Sequence, residues 1–168
     1  MKAADEPTIA KVGVPVEGKK PKELWARSIL WEKAPKFVVE KWLTEEPSLK
    51  GKFLLIEFWA TWCGPCRRTV PKLNSIHEKF GDKMIVIGVS DEPEDDIMKF
   101  AEGKIEYYHA MDTQKRMKSE LRVIGIPHVI IVEPGGYVIW EGFPLLKDYE
   151  LTEEKIEKIL EIGKDDIF

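Results

Sequence analysis

The apolar positions of this chain change period as they run, and each change marks an element. Phe53-Leu54-Leu55-Ile56 continues through Glu57 into Phe58-Trp59 with a single charged interruption. A run apolar at both alternating sets of positions predicts a strand buried on both faces, hence parallel and central. From Cys66 to Phe80 the period lengthens: Val70, Leu73, Ile76 and Phe80 fall at spacings of three, three and four, which predicts a helix. Pro71 lies inside it and predicts a kink, because it removes the bond to the Arg67 carbonyl. Gly81 is the expected left-handed cap. Met84 to Val89 reads as a second buried strand. Ser90-Asp91-Glu92-Pro93 opens a helix that runs to about Glu102 and stops at Gly103, its acids reading as a solvated helix start. Tyr107 to Met111 is a short strand, and Thr113 to Leu121 a short helix with Met117 and Leu121 inward. Val129 to Val132, the turn Glu133-Pro134-Gly135-Gly136, and Tyr137 to Trp140 form a hairpin. Residues 152 to 162 close the chain as an amphipathic helix, with Thr152 as cap and Ile156, Ile159, Leu160 and Ile162 inward.

The pattern is weaker before residue 53. Residues 1 to about 22 carry Pro7, Gly13, Pro15, Gly18 and Pro21 with lysines between them and no sustained period, which reads as a loosely docked arm. Lys22 to Trp31 predicts a short helix, with Trp25 and Trp31 as packing residues. Ala34 to Leu43 is rich in β-formers. The expected division is an arm over residues 1–33, with the short helix, and a folded domain over 34–168.

Composition narrows the function classes. The 168 residues suit one domain, 43% of them are hydrophobic, and the net charge is −4. That charge, with no basic run, gives no attraction to nucleic acid. No segment is long and apolar enough to span a membrane. No apolar stretch follows Met1-Lys2-Ala3-Ala4-Asp5, so either the chain acts in the cytoplasm or a targeting segment has been removed from an exported protein.

The two cysteines of the chain are Cys63 and Cys66, in Trp59-Ala60-Thr61-Trp62-Cys63-Gly64-Pro65-Cys66-Arg67, between the predicted central strand and the predicted helix. Strand, Cys-x-x-Cys, helix is a redox arrangement. Backbone N–H groups and the dipole at a helix N-terminus favour negative charge, so a thiol there ionises more readily, and the thiolate is the nucleophile. The second thiol, one turn on, closes a disulfide with the first, and Pro65 suits the first turn. A zinc site would need two more ligands, and His77, His109 and His128 are scattered without ligand spacing, so no metal and no organic cofactor is expected.

The wording from Phe58 to Cys66 resembles the thioredoxin superfamily. Ala34-Pro35-Lys36-Phe37, with Leu49-Lys50-Gly51-Lys52 leading into the strand, resembles the branch that holds peroxiredoxins and TlpA/ResA-like thiol-disulfide oxidoreductases; the resemblance covers roughly residues 34 to 162. It implies an α/β thioredoxin fold, a central mixed sheet flanked by helices, with an N-terminal β extension and an inserted βα unit. It implies reduction of protein disulfides by Cys63, with Cys66 resolving the mixed disulfide. It also implies a cis bond before Pro127 and a groove for an extended peptide formed by Trp62, Gly64, Pro65, Ile126 and Pro127. Trp59 is equally a core or a groove residue. Glu57 matches the acid beneath thioredoxin active sites; buried and unpaired, its pKa should rise, and it would accept the proton of Cys66. His128 follows Pro127, where thioredoxins usually carry threonine. The expected partners are protein disulfide substrates and an upstream thiol electron donor, the expected state is a monomer, and the expected place is the periplasm or another extracytoplasmic space. Two other functions remain open. One is a thiol peroxidase, although Thr61 stands two residues before Cys63 rather than three and no proline precedes it nearby. The other is a non-catalytic peptide-binding module.

Overall fold

The structure, a computed structural model, describes residues 23–164, with side chains to residue 161. The expected arm over residues 1–22 and the inward Ile162 lie outside the described residues. The elements in chain order are β1 (Lys41–Trp42), β2 (Phe53–Phe58), α1 (Gly64–Phe80), β3 (Met84–Ser90), α2 (Glu94–Ala101), β4 (Tyr108–Met111), α3 (Arg116–Glu120), β5 (His128–Val132), β6 (Val138–Gly142) and α4 (Glu153–Lys164). The strands form one mixed sheet in the order β1-β4-β3-β2-β5-β6. β2 runs parallel to β3 and antiparallel to β5, so it is central, as its double-sided apolar pattern requires, but parallel on one side only. β1 adds an antiparallel edge strand beyond β4, and along the chain β4 with its flanking helices is inserted between β3 and β5.

Strand alternation sorts the core into two faces. Leu55, Met84, Val86, Val129 and Ile131 meet Val70, Leu73 and Ile76 of α1 and Ile156 and Ile159 of α4. Ile56, Phe58, Ile85, Ile87, Val89 and Ile130 meet Met117 of α3, Leu121 and, from the N-terminal segment, Ile29. α1 continues through Pro71, whose side chain is exposed. Thr152 caps α4, its hydroxyl oxygen accepting from the Lys155 N–H at 3.1 Å.

Three local expectations are corrected. Gly81 caps α1 in the right-handed region, φ −62° and ψ −17°; glycine is needed there because a Cβ would stand 2.5 Å from the His77 carbonyl oxygen, not for handedness. Residues 23–31 form no helix. Their backbone groups bond outward instead: Arg27 N–H to the Leu121 carbonyl at 2.8 Å, and the Trp25 carbonyl to the N–H groups of Ile124 and Gly125 at 2.8 and 3.2 Å. Of the β-rich stretch 34–43, only Lys41–Trp42 is a strand, paired with Met111 and Ala110 at the end of β4.

The N-terminal segment is pinned by a buried carboxylate. Glu141 on β6 accepts from the Ile29 N–H at 2.8 Å and from the Ser28 hydroxyl. Glu141 is 3% exposed and Ile29 1%, so the bond from the Ile29 N–H is shielded from water. Glu141→Ala would orphan a buried N–H, a cost of about 1–3 kcal/mol. Urea unfolding should record that loss, limited proteolysis should cut first within residues 23–33, and Glu141→Gln should recover most of both.

Candidate active site

The site is built where β2 hands the chain to α1. Trp59 N–H still bonds the Val89 carbonyl at 3.1 Å, and the chain then turns, with Cys63 N–H on the Ala60 carbonyl at 3.2 Å. Cys63 is the N-cap of α1, in extended conformation, and its sulfur accepts from the Cys66 N–H at 3.2 Å. A disulfide joins Cys63 and Cys66, whose Cα atoms are 5.2 Å apart. Both sulfurs are shielded, Cys63 at 4% exposure and Cys66 at 1%, so the difference in access between them is small. Cys63 lies at the protein's rim nonetheless, because its neighbours Trp62, 71% exposed, and Gly64 face solvent.

Across from the disulfide runs the loop before β5. The Ile126–Pro127 bond is cis. Cys63 Sγ lies 3.7 Å from the Ile126 carbonyl oxygen. Ile126 is half-buried, Pro127 buried, and Ile124, at 84% exposure, extends the apolar surface of this loop. Trp62, Gly64, Pro65, Ile126 and Pro127 are therefore brought to one end of the sheet. Trp59 is not part of that surface: it is 2% exposed and packs at 5.9 Å between ring centroids on Phe100. His128 opens β5 beside Phe58, so it is buried on the sheet face opposite Glu57.

Beneath the disulfide, Glu57 is 1% exposed in the central strand. Burial pushes its carboxyl up to about 8 from 4.5, opposed in part by the Thr69 hydroxyl, which donates to Oε2 at 2.6 Å. The same hydroxyl lies 2.7 Å from the carbonyl oxygen of Cys66, so Thr69 ties the carboxyl to the turn that carries the second sulfur. Sequence reasoning missed Thr69; a buried threonine in mid-helix gives no local signal.

It also misread Glu92. This acid is not simply a solvated helix start: it accepts from the N–H and hydroxyl of Thr61 at 2.8 and 2.7 Å and from the Ser90 hydroxyl at 2.8 Å. Arg67 Nε donates to the Thr61 carbonyl at 2.7 Å, so the loop carrying Trp62 is held from both β3 and α1. The Thr61 hydroxyl is thereby committed away from the disulfide. Among the described residues no group of three metal-ligating side chains gathers.

The chain is similar to several known proteins. The model of the AhpC/TSA family matches residues 31–141. Thiol-disulfide oxidoreductase ResA of Bacillus thuringiensis subsp. konkukian is 30% identical over 135 residues, 77% of this chain and 75% of that protein. Thioredoxin-like protein YneN of Bacillus subtilis is 28% identical over 114 residues, 64% of this chain and 67% of that one. The crystal structure of the thioredoxin domain of a thiol-disulfide oxidoreductase from Bacteroides vulgatus superposes with a TM-score of 0.63 at 25% identity, covering 79% of this chain and 95% of that one. A cysteine pair that opens α1 on a six-stranded mixed sheet, in a chain with these relatives, makes this a member of the AhpC/TSA family and, within the thioredoxin superfamily, a TlpA/ResA-like thiol-disulfide oxidoreductase.

Proposed function

We propose that the protein reduces disulfides of other proteins through Cys63 and Cys66. The Cys63 thiolate attacks one sulfur of the substrate disulfide, and the other sulfur leaves and takes up a proton. The Cys66 thiol then gives its proton to Glu57 and attacks Cys63 Sγ. The substrate departs fully reduced, carrying two electrons, and the enzyme is left with its own disulfide. An upstream thiol donor returns the pair to the dithiol.

The observation that carries this reading is the position of Cys63 as N-cap of α1. Its sulfur accepts a backbone N–H at 3.2 Å, a bond that favours the thiolate over the thiol. Cys66, a turn deeper, has Glu57 and Thr69 behind it and suits the resolving role. Trp62, Gly64, Pro65, Ile126 and Pro127 fit a shallow groove for an extended peptide, with the Ile126 backbone available beside Cys63. The reading includes a monomer acting outside the cytoplasm, with residues 34–168 as the working domain.

The test is turnover of a model protein disulfide set against consumption of hydrogen peroxide. Fast disulfide reduction with negligible peroxide consumption is expected, since the Thr61 hydroxyl is bound to Glu92 rather than aimed at the cysteines. The reverse would establish a peroxidase, and loss of both would establish a binding module. Gly64-Pro65 between the cysteines resembles reducing members of the superfamily, so equilibration with glutathione at an extracytoplasmic poise should leave the pair mostly oxidised.

A further inference from the structure

Three positions form a row across the sheet on the face beneath α1. Glu57 on β2 is beside Gly88 on β3, and Gly88 is beside His109 on β4. The middle position has no side chain, and Trp59 and Tyr107 converge on it. A methyl group on Gly88 would stand 2.9 Å from Trp59 Nε1 and 3.3 Å from Tyr107 Cε2. The space is closed, with Trp59 2% and Tyr107 1% exposed. The Trp59 indole N–H, the Tyr107 hydroxyl and His109 Nδ1 are all buried there without hydrogen-bond partners. Each such group is costly when left unpaired; the indole N–H and the phenol hydroxyl can both donate, and so call for an acceptor.

Glu57, beside Gly88 in that row, is the carboxylate nearest to them along the ladder. Thr69 occupies Oε2, and a carboxylate has a second oxygen with acceptor sites of its own. Burial, and then the charge of Glu57, hold the Tyr107 hydroxyl protonated, so it stays a donor. The other titratable groups around Glu57 are Cys66 from α1, whose carbonyl meets the Thr69 hydroxyl that bonds Glu57, and His109 from β4, which burial keeps toward its neutral form. β3 presents Gly88 here and β5 presents Val129, and neither titrates.

We propose that Tyr107 is a positioning residue for Glu57: its hydroxyl turns onto the Glu57 carboxylate when that group ionises, and so sets how readily the carboxylate takes the proton of Cys66. The kinetic consequence rests on Glu57 being the proton acceptor; the contact itself does not. A donor to the charged form holds a carboxyl pKa down, so Tyr107→Phe should raise it.

The experiment follows the carboxyl carbon of Glu57 by NMR in the reduced protein labelled with 13C-glutamate, against pH, with Glu57→Gln as the assignment control. In Tyr107→Phe the Glu57 midpoint should rise by about one unit. In single turnover the resolution of a Cys63 mixed disulfide should slow up to about tenfold at pH 7. It should recover the wild-type rate once the pH passes the new midpoint, which lost packing alone would not produce. A midpoint that stays or falls overturns the proposal. So does a raised midpoint with an unmoved rate profile, provided Glu57→Gln abolishes that profile. If Glu57→Gln keeps the profile, the proton-acceptor reading fails, and the midpoint alone judges the Tyr107 contact. A measurement without substitution at Tyr107 guards against a misfolded variant: the ring carbon bearing the Tyr107 hydroxyl should titrate with the Glu57 midpoint and lose that titration in Glu57→Gln. A flat Tyr107 signal in the wild-type protein overturns the proposal.

Discussion

Cys66→Ser should turn the protein into a trap: incubated with disulfide-bearing proteins, it accumulates mixed disulfides on Cys63 that persist until a small thiol is added. Cys63→Ser should trap nothing. Either substitution should reduce catalytic turnover at least about a thousandfold, since each removes an obligatory sulfur. The asymmetry follows from where α1 begins. Cys63 is its cap, beside exposed Trp62 and Gly64 and 3.7 Å from the Ile126 carbonyl, whereas Cys66 lies within the first turn, where its carbonyl meets the Thr69 hydroxyl that bonds Glu57. On the proposed mechanism a substrate reaches the first sulfur and is released by the second. Non-reducing electrophoresis of the two variants is the measurement, and equal trapping by both would refute the assignment of roles.

The second large effect is at Glu57, and its sign follows from linkage. The carboxyl titrates at about 8 in the fold against 4.5 as a free side chain. Below pH 4.5 it is protonated in both states and costs no ionisation energy. As pH rises through the interval, the unfolded chain gives up the proton and the folded one keeps it, so stability falls by about 1.4 kcal/mol per pH unit. Above pH 8 the loss is complete and constant. Glu57→Leu removes this penalty and should stabilise the fold by roughly 3 kcal/mol at pH 7, less whatever packing the change disturbs. Thr69 is not orphaned by it, because its hydroxyl can still donate to the Cys66 carbonyl at 2.7 Å. The same variant should resolve the Cys63 mixed disulfide about a hundredfold more slowly at pH 8 and lose the rise in rate with pH expected of the wild type. Denaturant titrations at pH 4 and pH 8, beside single-turnover rates at both, give the two readouts. A variant less stable than wild type at pH 8 and equally fast would refute both parts.

Stability and catalysis oppose each other at this residue. The buried carboxyl weakens the fold throughout the neutral range, and in the proposed mechanism its raised titration is what suits it to take a proton from the second sulfur. Removing it should give a sturdier and poorer enzyme.

Much of this protein was legible before folding was considered, because the informative features are local. The double-sided apolar run of 53–59 marks a central strand, the spacing of Val70, Leu73, Ile76 and Phe80 marks a helix, and Cys-Gly-Pro-Cys at their junction places two sulfurs one turn apart. A charge inside the strand, with no basic neighbour along it, already implies a carboxyl of raised pKa. These inferences need only the periods of strand and helix and the cost of burying charge. Tertiary structure decided everything that depends on which segments become neighbours. The apolar spacing of residues 22–31 is compatible with a helix, yet within 23–31 backbone groups are claimed by Leu121, Ile124, Gly125 and Glu141, far away in sequence, and no helix forms there. Glu92 looks like any acid before a helix until the Thr61 loop arrives above it. Gly88 looks like a weak point in a strand until the ladder sets it between Glu57 and His109, with Trp59 and Tyr107 closing over it. Periodicity tells which face of an element is buried; only sheet register, a long-range pairing of backbone groups, tells what each buried side chain faces.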